Sequence, residues 1–145
     1  MPWEAVYYEN CIFRMLLLEK MKRKILLVDD DEMILFSLEC ALTMEGFTVI
    51  TALHGKAALE IIIAHEARRH PISCIIVDLH MPAMSGLELI DKVQKLKIRI
   101  PIMVLSATPR EELEKELSKI GISSFREKPV SIQNLVNGVH EILSP

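Results

Sequence analysis

The stretch IIVDLHMPAMSG, residues 75–86, decides the reading of the chain. It closes an apolar run that begins at Ile72 and ends on one acid, Asp78; a proline and a glycine follow, and Ser85 opens a segment with helical spacing. A strand buried on both faces reads as a nearly unbroken Ile/Val/Leu run, as central parallel strands do. A carboxylate at the end of such a run stands where the strand leaves the sheet.

Working outward, the same unit recurs. Apolar runs stand at KILLVD (24–29), FTVITA (47–52), ISCIIVD (72–78), IPIMVLSA (100–107) and ISSFRE (122–127). Helical spacing fills the intervals. Residues 31–45 place Met33/Ile34, Leu38, Ala41/Leu42 and Met44 on one stripe, with Asp31 as an N-terminal acid and Gly46 as the stop. Residues 55–69 repeat the pattern with Ala58, Leu59, Ile62 and Ile63, and residues 85–97 with Leu87, Leu89/Ile90 and Val93 behind a Ser85 cap. Residues 109–120 start with Pro109 in the first turn after Thr108 as cap, and carry acids early and lysines late. Residues 131–143 begin at Ser131 and carry Ile132, Leu135/Val136, Val139 and Ile142/Leu143. Five strands and five helices in strict alternation predict a three-layer α/β domain with parallel strands and right-handed crossovers. The sequence shows no internal repeat or interdomain linker, and ends just after the fifth helix, so no attached output domain is expected.

Totals narrow the classes. The 145 residues fit one domain, and 50% hydrophobic with 26% charged is an ordinary globular balance. A net charge of −3 and a pI near 6.0 give no global attraction to nucleic acid or anionic membrane, so neither is expected as a partner. The short basic run Lys22-Arg23-Lys24 reads as a solvated strand entry. Three cysteines, with no C-x-x-C or Cys/His metal spacing, point to a reduced, cytoplasmic compartment. Cys40 and Cys74 lie among apolar residues and read as small core side chains. No stretch approaches the roughly 20 apolar residues that span a bilayer. The patch CIFRMLLL (11–18) has its main basic cluster after it, the reverse of a signal peptide. Residues 1–22 therefore read as an appendage to a domain over 23–145: an upstream start, a loosely docked helix or an oligomer contact.

In open α/β sheets ligands bind at the carboxyl ends of the strands, where the strand order reverses. This sequence puts Asp29-Asp30-Asp31 there after the first strand, Asp78 after the third, Ser106-Ala107-Thr108 after the fourth and Lys128-Pro129 after the fifth. Clustered carboxylates repel one another and lose hydration, which a hard divalent cation such as Mg2+ relieves. Acids, metal, hydroxyl and lysine together make a phosphoryl-transfer site, in which one carboxylate can be the nucleophile.

These residues carry a resemblance. ILLVDDDE (25–32), IIVDLHMPAMSG (75–86), VLSA (104–107) and FREKP (125–129) resemble the response-regulator receiver domain of two-component signalling, in its stand-alone, CheY-like form, over about residues 23–143. The resemblance implies a flavodoxin-like doubly wound sheet in the order 2-1-3-4-5. It implies Asp78 as phosphoacceptor, and Asp29, Asp30, Asp78 and the backbone carbonyl of His80 around Mg2+. Ser106 and Lys128 would hold the phosphoryl oxygens, Pro129 would follow a cis bond, and Ser106 with Phe125 would form the switch. The implied partners are a histidine kinase or phosphotransfer protein and a downstream protein target. A homodimer through the fourth helix, fifth strand and fifth helix is also admitted. Departures from the commonest pattern are Asp31 for glutamate, Phe125 for tyrosine, Val130 for phenylalanine, and His80, whose side chain can influence attack by water. His54, His65, His70 and His140 show no ligand spacing and read as solvated or capping side chains. Two other readings use the same residues. A haloacid-dehalogenase-like phosphatase would take Asp29 as nucleophile with Asp31, but leaves DLHMPAMSG unexplained. A receiver fold that only binds would take no phosphate.

Overall fold

The computed structural model describes residues 2–144. Along the chain run α1 (Pro2–Lys22), β1 (Lys24–Val28), α2 (Glu32–Met44), β2 (Thr48–Ala52), α3 (Gly55–Ala67), β3 (Cys74–Asp78), α4 (Gly86–Lys95), β4 (Ile102–Ser106), α5 (Arg110–Ser118), β5 (Ser124–Glu127) and α6 (Ile132–Leu143). All strand pairs are parallel, in the order β2-β1-β3-β4-β5. The sheet order is the one the resemblance implied. The helix count is not, because residues 2–22 form a sixth helix ahead of the five predicted ones.

Alternate residues of a strand face opposite sides of the sheet. Leu26, Val28, Ile75, Val77, Ile102 and Val104 face one way, onto Ala58 and Ile62 of α3, Leu89, Ile90 and Val93 of α4, and Leu113 and Leu117 of α5. Ile25, Leu27, Cys74, Ile76, Met103 and Leu105 face the other, onto Leu35, Leu38 and Leu42 of α2 and Leu135, Val136 and Val139 of α6. Every residue of β3 and β4 is buried, which is why those two runs lack polar alternation.

The helix termini follow local rules. Asp31 caps α2, its carboxylate accepting from the Met33 and Ile34 N–H groups. Gly46 closes α2 at φ 95°, with Gly46 N–H on the Thr43 carbonyl and Phe47 N–H on the Leu42 carbonyl. That pair of bonds needs a left-handed residue, the conformation glycine takes without a Cβ clash. His54 caps α3 through Nδ1, and Ser85 and Ser131 cap α4 and α6 through their hydroxyls.

Several sequence expectations are corrected, among them Ile63 of the α3 stripe and Ile132 of the α6 stripe, both of which are exposed. The buried stripe of α2 is Leu35, Leu38, Ala41 and Leu42, whereas Met33 and Met44 are 75% and 88% exposed. Residues 33–36 are all apolar, so periodicity did not fix the phase. Cys40 follows that rotation to the exposed face of α2, while Cys74 is buried as expected. Thr108 does not cap α5; Pro109 occupies the cap position with no side-chain bond, and the Thr108 hydroxyl is used at the strand rim instead.

The helix α1 is not a layer of the core. Trp3, Tyr7, Tyr8, Phe13 and Leu16 are among its exposed large side chains. Among the described residues no helix is long and apolar enough to cross a membrane.

Candidate functional site

Four strands deliver their last residues to one rim. Val28 pairs with Val77 across β1 and β3, so Asp29 and Asp78 follow side by side; Asp78 pairs with Leu105, and Ser106 with Glu127, the residue before Lys128. The switch point lies between β1 and β3, the place where this topology leaves a crevice.

Asp29 and Asp78 are 3% and 6% exposed, and Ser106 is fully buried. The Lys128 ammonium donates to Asp29 Oδ2 at 2.7 Å and stands 3.2 Å from Asp78 Oδ2. The other carboxylate oxygens are held by backbone: Asp31 N–H donates to Asp29 Oδ1 at 2.9 Å, and His80 N–H to Asp78 Oδ1 at 3.3 Å. Asp30 is exposed beside them, and one oxygen from each of Asp29, Asp30 and Asp78 lies within 4.8 Å of the others.

Three carboxylates thus face one ammonium, which leaves two negative charges uncompensated when all are ionised. Burial pushes the Asp78 carboxyl above its ordinary value; Lys128 pulls it down, and the Asp29 charge pushes it up again. For Lys128, burial alone would lower the ammonium. The hydrogen bond to Asp29 and the charges of Asp29 and Asp78 together outweigh burial and hold it above the usual lysine value. Closely set hard oxygen donors with excess negative charge fit a divalent cation such as Mg2+, which prefers carboxylates and water.

The loop after β3 is pinned to the strand end by Gly86. A Cβ there would fall 2.4 Å from the Asp78 carbonyl oxygen and 2.8 Å from Leu79 Cα, so no other residue fits this close approach of α4. The Gly86 N–H donates to the Leu79 carbonyl at 3.0 Å.

Ser106 is on the rim, and its hydroxyl is bonded within its own loop. It donates to Thr108 Oγ1 at 3.0 Å and accepts from Thr108 N–H at 3.1 Å. The same Thr108 hydroxyl meets His80 Nε2 at 2.9 Å. Phe125 sits apart on β5, half-buried against the core, with the Arg110 guanidinium 5.2 Å from its ring centroid. The Lys128–Pro129 bond is cis, as the resemblance implied, and Lys128 N–H donates to the Ser106 carbonyl at 2.8 Å.

The fold therefore brings together Asp29, Asp30, Asp78 and Lys128, sets Ser106 and His80 on the same rim, and places Phe125 away from it. Sequence reading placed Thr108 on the rim after Ser106 and also offered it as the α5 cap, but did not give it as the partner of the Ser106 hydroxyl, and it missed Arg110 beside Phe125. Asp31 points its carboxylate at α2 backbone, so Asp29 and Asp31 do not form a catalytic Asp-x-Asp pair.

Comparison with known proteins agrees with this geometry. The model of the response regulator receiver domain matches residues 25–140. The alkaline phosphatase synthesis transcriptional regulatory protein PhoP of Bacillus subtilis is 33% identical over 124 residues, 85% of this chain and 49% of its own length. The transcriptional regulatory protein FixJ of Rhizobium meliloti is 37% identical over 103 residues, 71% of this chain and 48% of its own length. The chain spans about half the length of these two relatives. The receiver domain of the Francisella response regulator 1452 superposes with a TM-score of 0.76 at 29% identity, covering 83% of this chain and 96% of that one. A chain of the CheX–CheY–BeF3–Mg2+ complex from Borrelia burgdorferi superposes with a TM-score of 0.75 at 25% identity, covering 85% and 90%. With the family model covering most of the chain, and with strand-end acids, lysine and cis proline in place, the chain belongs to the response-regulator receiver-domain family.

Proposed function

We propose that this domain, residues 23–145, is the phosphoacceptor of a two-component phosphorelay, and that Asp78 takes a phosphoryl group from a histidine kinase or phosphotransfer protein in the cytoplasm. The observation that carries the reading is the half-buried Lys128 ammonium bridging Asp29 and Asp78 at 2.7 and 3.2 Å within a carboxylate cluster of excess negative charge. Asp29, Asp30, Asp78 and the His80 backbone carbonyl would hold Mg2+, which when bound neutralises charge on the moving phosphoryl oxygens.

Asp78 is favoured over Asp29 as nucleophile. Asp29 is held by Lys128 at 2.7 Å and Asp31 N–H at 2.9 Å, whereas the corresponding contacts of Asp78, with Lys128 and His80 N–H, are longer, at 3.2 and 3.3 Å. An Asp78 carboxylate oxygen attacks phosphorus in line. The new O–P bond forms as the P–N bond to the donor imidazole breaks, and its electron pair leaves on the ring nitrogen. In the reverse sense of signalling, a water oxygen attacks phosphorus, the O–P bond to Asp78 breaks, and the carboxylate and inorganic phosphate result. Lys128 supplies the fixed positive charge that the phosphoryl oxygens meet.

The acyl phosphate adds about −1.5 to −2 charge at the rim. Ser106 then turns to donate to a phosphoryl oxygen, Phe125 follows, and the face built by α5, β5 and α6 changes shape for a downstream protein. This is a two-state shift biased by a local charge event. An apolar groove lined by Met33, Ile34, Leu38, Pro129 and Val130 opens beside Lys128 and suits a helical donor.

Incubation with acetyl phosphate and Mg2+ tests the reading. A hydroxylamine-sensitive acyl phosphate that requires Mg2+ is the expected product. A folded protein that stays unlabelled with acetyl phosphate and with a panel of histidine kinases would overturn it.

A further inference from the structure

The Ser106 hydroxyl has one proton to give, and in this structure it is given to Thr108. A serine side chain carries a single O–H donor alongside its acceptor lone pairs. Its Oγ donates to Thr108 Oγ1 at 3.0 Å, while Thr108 N–H fills an acceptor position on the same Oγ at 3.1 Å. Thr108 Oγ1 in turn meets His80 Nε2 at 2.9 Å, a contact across 28 positions of sequence that joins the loop after β3 to the loop after β4. With the His80 hydrogen on Nδ1, Nε2 accepts the Thr108 hydroxyl proton, and the Thr108 oxygen is left as the acceptor for Ser106. Ser106 is fully buried, so water does not offer its proton an alternative partner.

We propose that Thr108 is a positioning residue that latches the Ser106 hydroxyl in the resting state, so that phosphorylation must break the Ser106–Thr108 bond before Ser106 can donate to the phosphoryl group. The inference rests on the reading that Asp78 carries that group. Thr108 itself touches no reacting atom. It acts through Ser106, and His80 acts through Thr108. The two loops are tied while Ser106 is latched, and the tie is loosened when Ser106 turns toward the phosphoryl oxygens. The latch lowers the population of the competent Ser106 rotamer, and apparent affinity for a phosphoryl group falls by the same fraction.

Beryllofluoride with Mg2+ is the probe, titrated into the full chain by calorimetry. Thr108→Val keeps the shape and removes the hydroxyl, and is expected to tighten binding by about two- to tenfold, the equilibrium worth of one neutral hydrogen bond. Thr108→Ser restores the hydroxyl and is expected to return the wild-type affinity. In the Ser106→Ala background, Thr108→Val is expected to change nothing, because there is no proton left to release. Unchanged or weaker binding by Thr108→Val would overturn the latch, as would an effect of equal size in the Ser106→Ala background, which would mark Thr108 as merely structural. Thr108→Ala gives the same comparison should the valine variant fold poorly. Wild-type protein that takes neither beryllofluoride nor a phosphoryl group would instead remove the phosphoacceptor reading, and the latch with it.

Discussion

The Lys128 ammonium is hydrogen-bonded to Asp29 Oδ2 at 2.7 Å, and the two side chains are 18% and 5% exposed. An ion pair this dry is sensitive to loss of one partner, because the remaining charge keeps its burial and loses its compensation. Lys128→Met leaves Asp29 and Asp78 facing each other without a cation. Metal-free protein is expected to lose about 3 kcal/mol of stability, read by urea unfolding in EDTA. Millimolar Mg2+ is expected to recover part of that loss, since a cation that binds only the folded state stabilises it.

Gly86→Ala tests how tightly α4 seats on the strand end. The new Cβ meets backbone, the Asp78 carbonyl oxygen at 2.4 Å, not a side chain that can turn aside. A loss of about 1–3 kcal/mol is expected from the overpacking. The rate of labelling by acetyl phosphate is expected to fall as well, because the backbone that must shift is that of Asp78. Labelling at the wild-type rate with stability unchanged would show that the contact relaxes freely.

Asp78→Asn is expected to raise the melting temperature at pH 7 in EDTA. The sign follows from the raised pKa of Asp78, caused chiefly by burial. A carboxyl raised in the folded state contributes stability that is fully present below its unfolded pKa and is lost as pH rises through the folded one. At pH 7 the ionised group is therefore a cost that asparagine removes. Scanning calorimetry of the two proteins from pH 3 to 7 checks it, and the difference is expected to shrink toward pH 3.

Burial pushes the Cys74 thiol up to about 12 from an ordinary 9.0. The same sign rule predicts a stability contribution present below pH 9 that falls between pH 9 and about 12, at up to about 1.4 kcal/mol per pH unit. Cys74→Ala is expected to flatten that alkaline limb. In native protein iodoacetamide is expected to modify the exposed Cys40 and to spare Cys74, as read by peptide mass mapping.

Most of the sheet was legible because β1, β3 and β4 are buried on both sides, so their segments ILLV, CIIV and IMVL are unbroken apolar runs. β5 is only four residues, SFRE, and its half-exposed pattern carries little signal of its own. Caps such as Asp31, Ser85 and Ser131 were legible because capping is chemistry between neighbours in sequence. The phase of α2 was not, since Met33, Ile34, Leu35 and Phe36 offer two apolar faces and only packing selects Leu35. Of the site, the acids and Lys128 could be placed from strand ends alone. The partner of the Thr108 hydroxyl could not, because it chose Ser106 and a histidine 28 positions away over a helix N–H beside it. The helical form of residues 2–22 had no periodic face to announce it, with Trp3, Tyr8, Phe13 and Leu16 spread round the axis.

The most direct measurement is to locate the acyl phosphate itself. Protein labelled with acetyl phosphate and Mg2+ is reduced with borohydride, which converts a phosphorylated aspartate to homoserine, and the digest is mapped by mass spectrometry. Homoserine at position 78, lost when Mg2+ is withheld, is the expected result. Homoserine at position 29 with Asp78 intact would contradict the assignment of Asp78 as phosphoacceptor.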